Sequence, residues 1–484
     1  MYPFKVRPIV KIIGILLMIE SLFMLSCLPF SIYYGSHDLR PILISAAITF
    51  GIGGLMWLTR RNYDQRDLGK REGYLIVCMT WVIISLFGAL PYYISGAIPS
   101  FTDAYFETMS GFSTTGASIL RDIEVVPKGL LFWRSLTHWI GGMGIIVLSI
   151  AILPFLGFGG MSLFWAEVPG PEKEKLHPRI AVTARRLWGI YTSLTLAMVI
   201  LQMLGGMNLF ESLCHAFGAL SSGGFSPKNT SLAGYSPYIQ YVAIFFMFLA
   251  GTNFTLHYLI IRGKVKNAVS GLEFKSYLLV LLIPSVIIAI ALFFERGYGP
   301  EQAWRGALFN VVSIVTCTGF ANEDYMLWPY FAWFIIFLLM FSGGMAGSTS
   351  GGIKIVRHLL LFKNLGMVLK KLLHKSAVVP VRLDNKTVNP LIIHNVLAIF
   401  FLYIITFAIG SLLLTVTGLD VVSSMGSVVS CMGGIGPGLA TTGPVANYAH
   451  LHDFAKWVLS FMMLLGRLEL FTLFIIFHPA FWKR

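Results

Sequence analysis

Four short stretches decide how this chain is read: Thr114-Thr115-Gly116-Ala117-Ser118, Ser221-Ser222-Gly223-Gly224-Phe225-Ser226, Thr316-Cys317-Thr318-Gly319-Phe320 and Gly433-Gly434-Ile435-Gly436-Pro437-Gly438. Each follows a short apolar segment, near 103–113, 209–220, 301–315 and 420–431. A helix of about 11 residues, at 1.5 Å rise per residue, reaches only half way through a hydrocarbon layer of about 30 Å. A segment that enters half way must come back out, and the glycine after each one suits that sharp return. Aligning Gly116, Gly223, Gly319 and Gly436 places one glycine in each of four successive units.

The segments also begin alike. Ser100-Phe101-Thr102-Asp103, Asn208-Leu209-Phe210-Glu211 and Thr417-Gly418-Leu419-Asp420 each set an N-cap residue three places before an acid. The third uses Gly299-Pro300-Glu301, with proline at the first helical position.

Working outward, long apolar runs flank every short segment. About ten are of membrane-crossing length, near 9–32, 40–59, 74–95, 131–153, 186–206, 236–261, 275–294, 327–342, 390–416 and 454–479. Hydrophobic residues make up 56% of the 484 and charged residues 12%, half the charge of an ordinary soluble domain. The net charge of +14 falls on alternate loops, 60–73, 155–186, 262–274 and 354–386, and on Lys483 and Arg484. That pattern predicts a cytoplasmic N-terminus under the positive-inside rule. It leaves no basic helix or aromatic-basic patch for nucleic acid. The five cysteines, Cys27, Cys78, Cys214, Cys317 and Cys431, form neither a disulfide framework nor a metal spacing.

The expected fold is therefore an all-α integral membrane protein. Two leading transmembrane helices are followed by four repeats of long helix, short half-spanning pore helix and long helix. The expected division is 1–65 for the leading pair, then 66–180, 181–268, 269–386 and 387–484 for the four repeats.

An ion crossing the bilayer must exchange water for other oxygen ligands, and converging backbone carbonyls supply them. Irregular backbone at this depth is tolerated where it lines a cavity or lies within protein. Each half-helix aims its C-terminal end, about −0.5 charge, at the centre, which favours a cation. The expected selectivity filter comprises Thr114, Thr115, Gly116, Ser221, Ser222, Gly223, Cys317, Thr318, Gly319, Gly434, Ile435 and Gly436.

With TTGAS, SGGFS, CTGF and GIGPG in this order, the sequence resembles the superfamily of Trk, Ktr and HKT potassium transporters. The leading helices and length resemble its bacterial TrkH/TrkG branch. The resemblance covers essentially the whole chain. It implies that the four helix–pore-helix–helix repeats stand in pseudo-fourfold arrangement around one pore, and it implies potassium uptake across a bacterial cytoplasmic membrane, a homodimer, and a cytosolic nucleotide-binding regulatory ring of TrkA type. It implies K⁺ ions in the pore and no covalently bound cofactor. In plant members a serine at the first filter glycine accompanies sodium transport, so glycine at 116 implies potassium.

Two features lie below the filter. The stretch Phe341 to Gly352, containing Gly343, Gly344, Gly347, Ser348, Gly351 and Gly352, interrupts apolar sequence with poor helix formers. By resemblance it is an intramembrane gate. An elbow between membrane and cytoplasm is the plain alternative, and Gly351-Gly352-Ile353-Lys354 lacks the ending of a phosphate-binding loop. Arg467 lies deep in the last span, which is costly unless it meets water or a partner. By resemblance it faces the pore and helps the loop to close it; pairing with Glu469 or reaching to the interface is the alternative. Glu107 is expected in a capping or solvated role, and several outside acids could concentrate cations at the mouth. His138, His215 and His257 read as structural. Nothing in the sequence assembles an enzyme site. An Na⁺- or H⁺-coupled K⁺ symporter and, in another class, a non-conducting sensor or membrane enzyme on the same scaffold remain as alternatives.

Overall fold

The structure is a computed structural model that describes residues 6–59, 70–147, 177–376, 378–384 and 386–482. Much of the cation-rich loops 60–73 and 155–186, and Lys483 and Arg484, lie outside the described residues. So do the expected boundary at 65/66 and the end of the expected span 131–153.

The described chain is helical apart from a two-stranded hairpin, Arg382–Leu383 with Lys386–Thr387. Two helices, Val6–Leu25 and Leu39–Leu58, pack against each other at the start. Gly14 and Gly53 let their backbones meet: a Cβ on either would sit 2.7 Å from the other's carbonyl oxygen. Four units follow, each an outer helix, a short helix and an inner helix. The outer helices are Lys70–Gly88, His177–Leu204, Leu272–Arg296 and Pro390–Thr415. The short helices are Phe101–Phe112, Leu209–Leu220, Pro300–Val315 and Val421–Gly433. They are buried on nearly all sides although they are no more apolar than many surface helices, because the longer helices surround them.

The caps form mostly as the sequence suggests. Ser100 accepts from Asp103 N–H at 3.4 Å, and Asn208 from Glu211 N–H at 2.8 Å. Gly299 and Pro300 open the third short helix. The fourth differs. Asp420 is itself the cap, accepting from Ser423 N–H at 3.0 Å, while the Thr417 hydroxyl turns back to Leu414 O. A carboxylate serves a helix start better than the hydroxyl three residues away.

Among the described residues six helices are long and apolar enough to cross a membrane, or eight if two sharply bent pairs each count once. The other two expected spans correspond to Lys128–Val147, the expected span's remaining residues lying outside those described, and to the third inner helix, which stops at Leu339. The inner helices are where sequence and structure part. The third is broken as expected, Tyr330–Leu339 resuming at Ile355–Leu373. The second and fourth, expected as single spans, are broken as well. Pro237–Ala250 turns by 101° into Phe254–Ile261, and Asp453–Arg467 by 115° into Phe471–Phe477. The first break falls at Gly251-Thr252-Asn253, where Asn253 caps the new helix through Thr255 N–H. The second falls at Leu468-Glu469-Leu470, with Glu469 and Leu470 both at positive φ.

Candidate ion pathway

The four short helices end in one local structure. Just past each helix one residue takes the left-handed conformation, the second residue after the first three helices and the first after the fourth: Thr114 (φ 54°), Ser222 (57°), Cys317 (57°) and Gly434 (69°). The next N–H reaches back five residues: Thr115 to Ser110 O at 2.9 Å, Gly223 to Gly218 O at 2.8 Å, Thr318 to Ser313 O at 2.8 Å and Ile435 to Ser430 O at 2.9 Å. This is a Schellman-type ending, which satisfies terminal carbonyls and reverses the chain. Its recurrence fixes the register between the units. Gly116 (φ 84°), Gly224 (78°), Gly319 (76°) and Gly436 (99°) then occupy the same place.

The second loop is thereby shifted by one residue from the alignment expected. Gly224, not Gly223, matches the other glycines. Ser221 is the helix C-cap, its hydroxyl bonded back to Phe217 O at 2.6 Å. Gly223 matches Thr115, Thr318 and Ile435. Serine pairs and glycine pairs look alike in sequence, and only the helix end distinguishes them.

The four loops close on one another in order. A Cβ on Gly116 would lie 2.1 Å from Gly223 O, on Gly224 1.9 Å from Thr318 O, on Gly319 1.7 Å from Ile435 O, and on Gly436 2.8 Å from Thr115 O. Each glycine faces the carbonyl that precedes the glycine of the next unit, and the fourth returns to the first. Side chains there are excluded by the neighbouring backbone as well as by positive φ. All four glycines line the floor of one outer cavity of about 140 Å³.

Each loop is braced from behind, and the sequence missed most of the braces. Glu107, expected to be solvated or capping, is buried; it accepts from Ser118 Oγ at 2.9 Å and Ile119 N–H at 2.8 Å and pairs with Arg134 Nε at 2.6 Å. Arg134 donates onward to Ser226 O at 3.0 Å and lies 3.5 Å over the Phe225 ring. One turn along, His138 stacks on that ring at 4.0 Å and accepts from Phe225 N–H. So the Glu107–Arg134 ion pair reaches both the first loop and the second. His215 holds Ser226 Oγ at 3.0 Å, and His257 bonds Leu249 O at 2.9 Å. In the third loop Asn310 bonds Asn322, which bonds Gln240. In the fourth the Tyr448 hydroxyl donates to Gly436 O at 2.8 Å.

The outer acids do not line the mouth. Asp122 holds Asn229 at 2.8 Å and Glu124 lies 3.8 Å from Lys228, so they bind the first loop to the second. The Asn229 bond and neighbouring backbone N–H groups lower the pKa of Asp122. The charged residues on the cavity wall are Arg121, Arg134 and Lys228.

Beneath the ring lies the 341–354 stretch. Its ends are clasped by Gly343 N–H to Ile353 O at 2.8 Å, and Gly343 and Gly351 are in close backbone approach. Gly344 N–H donates to Ser350 Oγ, Ser348 Oγ to Met345 O, and Lys354 Nζ to Ser350 O. Gly347 and Gly352 take positive φ. Three further bonds dock the loop on the second unit's break: Met345 N–H to Gly251 O, Thr349 N–H to Ala250 O, and Phe254 N–H to Gly347 O. Thr349 Oγ1 lies 2.9 Å from Ser222 Oγ and 3.0 Å from Leu220 O. Gly351 abuts the end of the fourth short helix, where a Cβ would meet Gly433 O at 2.1 Å.

Arg467 is buried, and donates to Gly141 O at 2.7 Å and Thr349 O at 3.3 Å. It therefore joins the inner helices of the first and fourth units to the loop of the third. It does not pair with Glu469, which holds Arg357 at 2.5 Å. Buried backbone carbonyls are partners a membrane-embedded cation can accept.

A mostly helical chain whose four units close a ring of backbone loops between an outer cavity and a buried loop belongs to the class of multi-pass membrane transporters. The comparisons with known proteins name the family. The model of the TrkH family, described as a cation transport protein, matches residues 39–484. The Trk system potassium uptake protein TrkH of Halomonas elongata is 37% identical over 484 residues, 99% of this chain and 100% of that protein. That of Salmonella typhimurium is 38% identical over 482 residues, 99% of each chain. The crystal structure of the potassium transporter TrkH from Vibrio parahaemolyticus superposes with a TM-score of 0.91 at 34% identity, over 99% of this chain and 100% of that one. The chain belongs to the TrkH family, a family of cation transporters and not of enzymes.

Proposed function

We propose that this protein takes up potassium through the ring of four loops. The dehydrated ion is held by the carbonyls and hydroxyls of Thr114–Gly116, Ser222–Gly224, Cys317–Gly319 and Gly434–Gly436. The observation that carries this reading is the cyclic contact of the four positive-φ glycines with the carbonyls of the next unit. Such packing fixes the loops' mutual spacing, and ion selection depends on the number and placement of carbonyl dipoles. The four helix C-termini behind the ring add negative potential at the same place. The relatives named as potassium uptake proteins support the choice of ion.

The loop around 343–352 and Arg467 close the pathway from below. Movement of the loop breaks the bonds of Thr349 to Ser222, Ala250 and Arg467 together, so opening also involves the second unit's broken helix. The N-terminus faces the cytoplasm, the chain pairs as a homodimer, and a cytosolic nucleotide-binding ring acts on the gate; resemblance and loop charge support these readings. The division at 65, 180, 268 and 386 follows the order of the four units.

The test is ion flux into liposomes holding the purified chain, with Na⁺ competing against K⁺ and no Na⁺ or H⁺ gradient. Preferential K⁺ flux supports conduction through the ring, and a strict need for a gradient supports symport instead. Equal passage of both ions, unchanged in Gly116→Ser, refutes the assignment.

A further inference from the structure

Resting on the reading of the 343–352 loop as the gate, the geometry points to Glu273 as a latch that holds that loop, with the 382–387 hairpin fixing the latch in place. Glu273 is in the first turn of the third outer helix and is buried. Its Oε1 accepts from Ala346 N–H at 2.8 Å, three residues before the Thr349 carbonyl that takes Arg467's bond. The loop is thus held at two points, by a cation from the fourth unit at Thr349 and by a carboxylate from its own unit at Ala346.

The helix that carries Glu273 has no side-chain cap from its own N-cap residue. Its N-cap is Gly271, which has no side chain to offer the exposed N–H groups. Asp384, over a hundred residues away in the hairpin, supplies the missing acceptor: its Oδ1 takes Leu272 N–H at 2.9 Å. Asp384 holds positive φ (45°) in doing so. The hairpin is not loose. Val381, Leu383 and Val388 are buried with Val356 and Leu360 of the helix that leaves the loop. The hairpin therefore touches both ends of the gate's support. It packs on the helix after the loop and caps the helix whose next residue holds the loop. A load on this exposed hairpin reaches Ala346 through two hydrogen bonds, Asp384 to Leu272 and Glu273 to Ala346, on adjacent residues of one rigid helix.

Glu273 is a positioning residue and touches no ion. Its loss removes one hydrogen bond to a charged acceptor from the closed state, which corresponds to a rise in opening of about tenfold. The experiment measures flux and single-channel currents of the full chain in liposomes for Glu273→Ala, Glu273→Gln, Asp384→Ala, Glu273→Ala with Asp384→Ala, and Arg467→Ala. The expected result is raised flux in Glu273→Ala with unitary conductance and K⁺ preference unchanged. Glu273→Gln, which keeps an acceptor oxygen, falls between it and the parent. Asp384→Ala moves the same way, and the double variant goes no further than Glu273→Ala, since both act on one bond. Thermal midpoints identify a variant that has merely unfolded, in which case Glu273→Gln and Asp384→Ala decide. Unchanged flux in folded variants, altered ion preference or additive effects overturn the latch. If Arg467→Ala raises flux and Glu273→Ala does not, the latch fails alone; if neither does, the gate reading fails with it.

Discussion

Gly116→Ala and Gly434→Ser introduce a Cβ at two glycines that lie in the same ring, both at positive φ, and that differ in what surrounds them. At Gly116 the new atom sits 2.1 Å from Gly223 O. Ordinary contact begins near 3.4 Å, so the carbonyl must retreat by roughly 1 Å or the loop must turn out. At Gly434 the nearest atom is Thr114 O at 3.9 Å, and nothing has to move. Moreover Thr114, Ser222 and Cys317 already carry side chains at the matching place, at φ of 54°, 57° and 57°. Both substitutions incur the left-handed penalty of about 1–2 kcal/mol, so both lower the thermal midpoint in detergent. Only Gly116→Ala displaces an ion ligand. A loss of ~1.4 kcal/mol in discrimination between two ions is a factor of ten. Bi-ionic K⁺/Na⁺ permeability in liposomes is therefore expected to fall about tenfold or more in Gly116→Ala and to stay within about twofold of the parent in Gly434→Ser. If Gly434→Ser erodes preference as much as Gly116→Ala, or if neither does, backbone spacing in the ring does not set selectivity and the reasoning is wrong.

Two further outcomes follow from the supporting bonds. Glu107→Gln strips the charge opposite buried Arg134 and is expected to cost ~3 kcal/mol; the thermal midpoint falls, and K⁺ preference weakens because the first and second loops lose their shared tie. A variant as stable and as selective as the parent shows the pair to be dispensable. Asp420→Ala removes the cap of the fourth short helix and is expected to cost about 1 kcal/mol, whereas Thr417→Val leaves that cap untouched; equal midpoints for the two variants contradict the cap assignment.

Much of this fold is local and so is written in consecutive residues. The apolar lengths, the caps at Ser100 and Asn208, Gly299-Pro300 and the glycine after each half-helix depend on neighbours within a turn or two. From them came the all-helical class, the four units and most of the ring. Tertiary structure decided what depends on residues far apart. It chose Gly224 over Gly223, because the helix end and the approach of Thr318 O set which glycine must lack a side chain. It broke the second inner helix at Gly251, where Met345 and Thr349 of a distant loop take the carbonyls of Gly251 and Ala250 in bonds that helical continuation would not leave free. It buried Glu107 against Arg134, and it carried Asp384 to a helix start that its own sequence leaves uncapped. Periodicity records how a segment meets lipid and its own backbone; it holds no record of which distant carbonyl or carboxylate will arrive opposite it.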